Sequence, residues 1–174
     1  TYTDENKTFS ISYPSDWEVD ISIITELDII SQEWVESIDP QVSLEEVSTV
    51  FYAGLPCGIA CYHPSCNISI EPLGYFKSIT ELNAYQMIYL KSFVEDYEEF
   101  SRETTVIGGR ESIINEFEAT FDFGGTPLRM HTLVLSTYKG DTSWSLSCNL
   151  ILEIADYTEY EDDFHNIIRS LQLH

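Results

Sequence analysis

Three consecutive strand-like segments in the second half of the chain restrict the fold more than any other feature. They span residues 112–122, 128–138 and 142–152, and apolar and polar residues alternate along each of them. Gly-Gly at 124–125 separates the first two segments, and Lys-Gly-Asp at 139–141 separates the last two. Both connections favour tight turns. The pattern therefore predicts a β-meander, in which the three strands are neighbours in one antiparallel sheet.

The register of this meander determines which side chains share a face. A two-residue turn at 124–125 places Glu118 opposite His131, and a three-residue loop at 139–141 places Thr132 opposite Cys148. One face is then apolar, with Phe117, Ala119, Phe121, Leu128, Met130, Val134, Trp144, Leu146 and Leu150. The other face carries Glu116, Glu118, Arg129, His131, Ser145, Ser147 and Asn149, with Leu133, Leu135 and Ile151 toward one end. We predict a groove for a ligand or protein partner on this face, beside His131. Its candidate binding residues are Glu118, Arg129, His131, Ser147 and Asn149.

Two segments have apolar residues at helical spacing and carry capping signals. The first covers residues 80–99 and follows a capping box formed by Ser78 and Glu81. The second covers residues 158–171, with Thr158 as its expected cap. An apolar sheet face must be covered, so both helices are expected on that face. A third helical segment, at residues 26–38, is expected to cover part of the polar face.

The first half of the chain contains further strand patterns. The segments Thr8–Tyr13 and Trp17–Ile23 flank a Pro-Ser-Asp turn and predict an opening hairpin. Shorter strands are predicted at 46–53 and 67–72, although Ser43 and Glu46 could instead form a capping box that opens a helix. No linker or internal repeat interrupts the 174 residues. The sequence therefore predicts a single α+β domain spanning residues 1–174, with helices flanking a central antiparallel sheet in an α/β/α sandwich.

The charge of the chain excludes some partners. It has 30 Asp and Glu residues against 8 Lys and Arg residues, a formal net charge of -22. Nucleic acids and anionic membrane surfaces both require a basic footprint, so neither is an expected partner. Divalent cations and basic protein surfaces remain compatible with this charge. No apolar run approaches the ~20 residues of a membrane-spanning helix.

Cysteine content indicates an oxidising compartment. Cys57, Cys61 and Cys66 lie close together and Cys148 lies far downstream, and four cysteines can form two disulfides. We expect Cys148 to pair with Cys61 or Cys66, and the other two to close a small loop. The sequence begins with Thr1 rather than Met. We therefore expect that an export signal or a lipid-attachment segment was removed, and that the protein works extracellularly or in a periplasm-equivalent space, where a lipid would anchor it to the membrane.

Two kinds of chemistry are alternatives to simple binding. A hydrolase could use Ser145 or Ser147 as nucleophile, with His131 as base and Glu118 as orienting group. A serine in the middle of a regular strand, however, lacks the strained turn and the backbone donors of an oxyanion hole. No known catalytic or nucleotide-binding motif occurs in the sequence, so we predict no enzymatic activity and no cofactor.

A metal site is the other alternative. Zinc could bind the thiolates and imidazole of Cys57, Cys61, His63 and Cys66, although their spacing is unlike the paired knuckles of zinc-binding domains. Calcium could bind the carboxylates of Glu159, Glu161, Asp162 and Asp163, although a helix spreads such residues around its axis. Disulfides and a solvated acidic helix start explain the same residues, so we predict no metal ligand.

Several short phrases resemble a known family. They are ISYPSDWEV at 11–19, SITEL at 78–82, IGGRESIINEFEATFD at 107–122, PLRMHTLVL at 127–135 and YEDDFHNIIRSLQL at 160–173. In this order they resemble the PsbP-like domains, which are extrinsic proteins of the photosynthetic oxygen-evolving complex and their bacterial and archaeal relatives, often lipoproteins. The resemblance implies an α/β/α sandwich and a non-catalytic role in assembly, ion retention or protein binding. The cysteine loop and the acidic segment at 26–46 depart from the family pattern.

Overall fold

The computed structural model describes residues 1–20, 23–24, 48–56, 64–74, 76–122 and 125–174. These residues form ten strands, two α-helices and one 3₁₀ turn. In chain order the elements are β1 (Tyr2–Thr3), β2 (Phe9–Ile11), β3 (Glu18–Val19), β4 (Ser48–Gly54), β5 (Ser65–Pro72), α1 (Ile79–Lys91), β6 (Glu95–Ile107), β7 (Arg110–Asp122), β8 (Pro127–Lys139), β9 (Thr142–Ile151), the 3₁₀ turn (Tyr157–Glu159), α2 (Glu161–Arg169) and β10 (Gln172–Leu173).

The strands form two antiparallel sheets. The large sheet has seven strands in the order β3-β4-β5-β9-β8-β7-β6, and the small sheet has the order β1-β2-β10. Consecutive hairpins join β6, β7, β8 and β9, so the predicted meander is confirmed and extended by one strand. The predicted strands at 46–53 and 67–72 are present as β4 and β5. The α+β class and the central antiparallel sheet are likewise confirmed.

The predicted opening hairpin is wrong. β2 pairs with β1 and β10 in the small sheet, whereas β3 pairs with β4 in the large sheet. The turn between β2 and β3 therefore carries the chain from one sheet to the other, and local alternation could not distinguish this path from a hairpin. The predicted helix at 26–38 lies outside the described residues.

The predicted helix at 80–99 is too long at its C-terminal end. Ser78 caps α1 as predicted, because its Oγ accepts a hydrogen bond from the backbone N–H of Glu81 at 3.2 Å. The helix ends at Lys91, and the chain then enters β6, which pairs with β7 over almost its whole length. The aromatic residues at 93, 97 and 100 continue the helical spacing by coincidence. Pairing with β7 overrides this local pattern.

The register between β7 and β8 is the predicted one, with Glu118 opposite His131 and Ala119 opposite Met130. The predicted register between β8 and β9 differs from the observed one by one residue, and this prediction is wrong. Lys139 pairs with Thr142, so the turn contains two residues, and its first residue, Gly140, has a φ of 61°. This conformation suits the two-residue hairpin turns that glycine favours. A shift of one residue moves every β9 side chain to the other face.

The two faces of the large sheet are covered by different elements. On one face, Leu133 and Leu146 belong to the main core together with Phe164 and Ile167 of α2 and Phe9 of the small sheet. On the other face, Met87 of α1 packs against Phe117, Ala119 and Val134. The prediction that both helices cover the same face is therefore wrong. One helix on each side of the sheet nevertheless confirms the α/β/α sandwich.

The last helix also begins differently from the prediction. Asp156, rather than Thr158, is the capping residue, and its Oδ1 accepts hydrogen bonds from the backbone N–H and the hydroxyl of Thr158. This cap starts the 3₁₀ turn, and α2 follows at Glu161. Phe164, Ile167 and Ile168 of α2 are buried. Tyr157 is the first residue of the 3₁₀ turn that this cap starts.

A disulfide joins Cys66 of β5 to Cys148 of β9. The two residues are direct cross-strand partners and are buried in the main core. The predicted pairing of Cys148 with Cys61 or Cys66 is thus confirmed, with Cys66 as the partner. Cys57 and Cys61, and the small loop predicted to join them, lie outside the described residues.

Candidate functional site

The candidate site is centred on His131, in the middle of β8. Its Nδ1 lies 3.2 Å from Oε1 of Glu118, its direct cross-strand partner on β7. Its Nε2 lies 3.1 Å from Oε1 of Glu116, which projects from the same face of β7. A neutral imidazole has a single N–H. Both contacts are therefore hydrogen bonds only when the ring carries a proton on each nitrogen or when one of the carboxyls is protonated.

Two aromatic rings enclose the His131 ring. The Tyr157 ring stacks on it with a centroid distance of 3.5 Å, and the Phe100 ring lies parallel to it at 5.6 Å. Phe100 reaches this position because it is the extra residue of a β-bulge, where Glu99 and Ser101 pair with consecutive residues of β7. Bulges redirect side chains in this way. The result is an aromatic–imidazole–aromatic stack that crosses three segments of the chain.

Arg129 extends the network toward the edge of the sheet. Its guanidinium Nε and Nη2 lie 3.0 and 2.9 Å from Oε2 of Glu118, and Nη2 lies 3.6 Å from Glu98 of β6. Its Nη1 also donates to the backbone carbonyl of Asp96 at 3.3 Å. Asp96 has a φ of 50°. This left-handed conformation is uncommon for a residue other than glycine, and it belongs to a second irregularity of β6, between Glu95 and Glu98.

Beside His131 the surface contains an open cavity of about 600 Å³. Three carboxylates and three rings contribute to its lining. They are Glu116, Glu118 and Asp156, and Phe100, His131 and Tyr157. The Phe100 side chain is 49% exposed, whereas His131 is only 4% exposed. A ligand entering the cavity would therefore contact Phe100, Tyr157 and the carboxylates before it reached the imidazole.

The cavity has a negative electrostatic character. Glu116, Glu118 and Asp156 line it, and the Arg129 guanidinium beside it pairs with Glu118 and Glu98. These five groups have a summed charge of -3, or -2 when His131 is protonated on both nitrogens. Burial and the adjacent Glu116 carboxylate raise the pKa of Tyr157 above its ordinary value. The Tyr157 side chain is therefore neutral over the physiological range.

This arrangement is better suited to binding than to proton transfer. Both nitrogens of His131 are held by carboxylates, and both ring faces are covered by Phe100 and Tyr157. The imidazole thus organises the two carboxylates and presents neither ring nitrogen to a substrate. Aromatic faces combined with carboxylates form an environment for a positively charged group, such as an ammonium or a guanidinium.

The five predicted binding residues do not form one surface. Glu118, Arg129 and His131 lie together, as described above. Ser147 and Asn149 lie on the opposite face of the sheet, because Ser147 pairs with Val134 and Asn149 pairs with Thr132. Ser145 is on that face as well, opposite Ser136. The serine–histidine–glutamate arrangement considered for a hydrolase is therefore not assembled, since the sheet itself separates the serines from His131.

The structure also bears on the zinc and calcium sites considered from the sequence. Cys66 is bonded to Cys148 and has no thiolate to offer zinc, while Cys57, Cys61 and His63 lie outside the described residues. Across the described ranges, no cluster of three or more His, Cys, Asp or Glu side chains has a geometry that could hold a metal ion. None of the described helices is both long enough and apolar enough to cross a membrane.

Three residues of the site were not predicted as site residues. Glu116 was placed on the correct face, and its position two residues before Glu118 on the same strand was the available signal. The position of the Phe100 ring depends on a bulge in β6, and the position of the Tyr157 ring depends on the 3₁₀ turn after β9. Neither residue has a local sequence signal that could have placed its ring against His131, because the contacts join residues 26 or more positions apart.

No protein-family model and no curated protein matches this sequence. Solved structures, however, share its fold. The solution structure of cyanobacterial PsbP (CyanoP) from Synechocystis sp. PCC 6803 aligns over 99% of this chain and 91% of that chain, with 12% identity and a TM-score of 0.61. LpqN, involved in cell envelope biogenesis of Mycobacterium tuberculosis, aligns over 95% and 82%, with 10% identity and a TM-score of 0.54.

A third similar structure is PA94 from Pseudomonas aeruginosa, which aligns over 75% of this chain and 85% of that chain at 11% identity, with a TM-score of 0.53. At these identities the similarity is one of fold. The chain therefore has the PsbP-like fold, which agrees with the resemblance of its short sequence phrases. Its function has to be inferred from its own surface.

Proposed function

We propose that this chain is a non-catalytic binding module that works outside the cytoplasm and docks onto a positively charged segment of a protein partner. The observation that carries the proposal is the cavity beside His131, where three carboxylates lie next to the exposed Phe100 ring and the half-buried Tyr157 ring. Lys and Arg side chains suit such a cavity, because carboxylates form charge-assisted hydrogen bonds with them and ring faces attract cations.

The edge of the sheet next to the cavity supports a protein rather than a small cation as the partner. β6 is the edge strand, it has 13 residues, and most of it is exposed. Five of these residues are acidic and one is basic. They are Glu95, Asp96, Glu98, Glu99 and Glu103, and Arg102. Charges on an edge strand oppose pairing with another sheet, and they attract basic surfaces at long range.

The location outside the cytoplasm is supported by the Cys66–Cys148 disulfide. It lies in the main core, and disulfides persist in oxidising compartments. The similarity of fold to a protein involved in cell envelope biogenesis is consistent with this location. The lipid anchor predicted from the sequence remains a prediction. The intact mass of the protein isolated from the membranes of its source cells tests it, since an attached acyl chain adds a defined mass.

A peptide-binding experiment tests the proposed function. The probe is a fluorescent peptide rich in Lys and Arg, and its anisotropy is measured while the full chain is added. We expect binding to weaken as ionic strength rises, because the interaction is electrostatic. Acetylation of the peptide lysines is expected to reduce binding. Phe100→Ala and Glu116→Gln are each expected to weaken binding about tenfold, a loss of ~1.4 kcal/mol.

Glu111→Gln is the matched control. It removes the same charge from β7, but at an exposed position toward the other end of the strand. A general effect of net charge would weaken binding equally in Glu111→Gln and Glu116→Gln. That result, or peptide binding that is insensitive to both Phe100→Ala and salt, would show that the cavity is not the docking site.

A further inference from the structure

The opposite face of the large sheet has a second cavity, of about 400 Å³, between α1 and strands β5, β8 and β9. Its volume falls in the range of small-molecule sites, ~300–1,000 Å³. This face is the one to which the observed β9 register moves Ser145, Ser147 and Asn149. It is separated from the His131 cavity by the thickness of the sheet, so the two surfaces can be tested independently.

The floor of the cavity is a cross-strand array of hydroxyl and amide side chains. Asn67 of β5 pairs with Ser147 of β9, and Asn149 of β9 pairs with Thr132 of β8. Ser145 and Ser136 form a parallel row. Thr132 Oγ1 donates to Asn149 Oδ1 at 3.0 Å, which fixes the orientation of that amide. The hydroxyls of Ser145 and Ser147 make no hydrogen bond with any residue that the structure describes.

The wall of the cavity is apolar. Met87 and Leu90 of α1 face Phe117, Phe121 and Val134 of the sheet. A ligand that fits this cavity must therefore present an apolar surface to one side and hydrogen-bonding groups to the other. Carbon–hydrogen faces pack against methionine and phenylalanine side chains, whereas serine, threonine and asparagine both donate and accept hydrogen bonds.

The lining is also uncharged, although the whole chain has a formal charge of -22. Among the lining residues that the structure describes there is no Asp, Glu, Lys, Arg or His. A charged ligand would lose its hydration in this cavity without gaining an opposite charge. The lining thus selects against anions and cations, and it favours a neutral molecule.

Asn115, the next residue in the row formed by Asn67, Ser147 and Val134, adds a second observation. It is fully buried, and neither its amide nitrogen nor its amide oxygen has a hydrogen-bond partner among the described residues. Buried polar groups without partners are rare in native proteins and call for an explanation. Polar groups on this side of the sheet are therefore not all satisfied within the described part of the fold.

From these observations we infer that this cavity binds a neutral saccharide. The hydroxyls of a sugar would bond to Asn67, Ser147 and Asn149, and the apolar face of its ring would pack against Phe121 and Met87. A hydroxyl both donates and accepts, as do the side chains of the floor, and a sugar ring has the apolar face that the wall requires. No charge is needed on either partner, in agreement with the uncharged lining.

Titration of the isotopically labelled full chain with cellobiose and with maltose, followed by amide chemical shifts, tests the inference. Shifts are expected at the lining residues of β5, β8, β9 and α1, and not at Asp156, Tyr157 and Thr158, which line the other cavity. Ser147→Val and Phe121→Ala are expected to weaken binding about tenfold. Thr104→Val, a matched control at an exposed position on β6, is expected to bind as the unmodified chain does. The amide spectrum of each variant shows whether it is folded.

Charged sugars test whether the cavity selects neutral ligands. Glucosamine and glucuronate are expected to bind more weakly than glucose, each by about tenfold or more. The inference is overturned by the absence of shifts with millimolar cellobiose and maltose, by equal binding of the charged sugars, or by shifts produced equally by hexanol, which has no sugar ring. Loss of peptide binding at the His131 cavity would leave this result unchanged, because the two surfaces lie on opposite faces.

Discussion

Neighbouring residues of β8 belong to two chemically different surfaces. His131 points to the face with the aromatic stack and the carboxylates, while Thr132 points to the face with the uncharged cavity. On the His131 side, hydrogen bonds and ion pairs join charged groups from three strands. On the Thr132 side, the bonds from Thr132 to Asn149 and from Asn83 to Ser136 join neutral hydroxyls and amides. One strand thus supplies two surfaces with different ligand preferences.

The difference between the two faces is tied to how each is covered. The His131 face carries the main core under α2 and the small sheet, and its charged residues lie at one end, where the cover stops. The other face is covered by α1, which contacts β7 and β8 and leaves the β5 and β9 side chains lining a cavity. Partial cover therefore produces a binding surface on each side, and the residues at the border determine its chemistry.

Alanine substitutions at adjacent positions of β8 should show the largest difference between the faces. Leu133 is fully buried in the main core, and Leu133→Ala is expected to lower the free energy of unfolding by about 2–5 kcal/mol. Val134 belongs to the smaller cluster under α1, and Val134→Ala is expected to cost about 1–2 kcal/mol. Chemical denaturation measures both values. Equal losses of stability in the two variants would contradict the division into a main core and a smaller cluster under α1.

Removal of the disulfide should have the next largest effect. Cys66 and Cys148 are 82 residues apart in sequence, so their bond restricts a long loop in the unfolded chain. The double variant Cys66→Ala, Cys148→Ala is expected to lose about 2–4 kcal/mol of stability. The free energy of unfolding of Leu133→Ala is measured with and without reductant. The comparison separates the contribution of the disulfide from that of core packing. A double variant as stable as the original chain would show that the bond does not stabilise the main core.

The stability contributed by the contacts of His131 with Glu116 and Glu118 can be compared with that of the Thr132–Asn149 hydrogen bond on the opposite face. His131→Ala leaves the carboxylates of Glu116 and Glu118 without their shared partner, and is expected to cost about 1–3 kcal/mol. Thr132→Val removes one neutral hydrogen bond to Asn149 and is expected to cost about 1 kcal/mol. Arg129→Ala, at a more exposed position, should cost less than His131→Ala.

These three variants also separate structural from binding roles. If His131→Ala lowers stability while the affinity for the basic peptide is unchanged, the residue belongs to the fold and not to the docking surface. If stability is unchanged and affinity falls, the residue contacts the partner. Thermal unfolding and peptide anisotropy on the same preparations give both values.

The smallest effect is expected at alkaline pH, and it involves Tyr157 and Tyr97, which lie on opposite faces and whose pKa values are raised well above the ordinary value. Tyr157 lies beside Glu116 and His131, and Tyr97 donates to Glu99 at 3.0 Å on the α1 side. Burial is the main cause of both raised pKa values. Above a pH of ~10 the unfolded chain loses these protons before the folded chain does, so stability must fall as pH rises.

Absorbance of phenolate during an alkaline titration measures this effect. Two tyrosines should stay protonated until the protein unfolds, and Tyr157→Phe and Tyr97→Phe should each remove one of them. If all tyrosines ionise together near their ordinary pKa while the protein is still folded, neither environment is as buried as the structure indicates.

Sequence patterns predicted part of this site and missed the rest for a definite reason. The pairing of Glu118 with His131 follows from the alternation of two neighbouring strands across a short connection, and it is confirmed. Ser147 and Asn149 were assigned to the wrong face, because alternation does not determine whether the turn at 139–141 contains two or three residues. The face on which these side chains lie was therefore predicted correctly relative to one another on β7 and β8 and incorrectly on β9.

The sequence by itself determined the class of the fold, the strands of the meander, the Ser78 cap and one partner of the disulfide. All of these depend on residues near one another in the chain or on the side-chain period of two along a strand. Only the tertiary structure decided the position of β6, the face of each β9 residue and the stacking of Phe100 and Tyr157 on His131. Those features depend on contacts between distant segments, whose energies outweigh local preference only once the sheet is assembled.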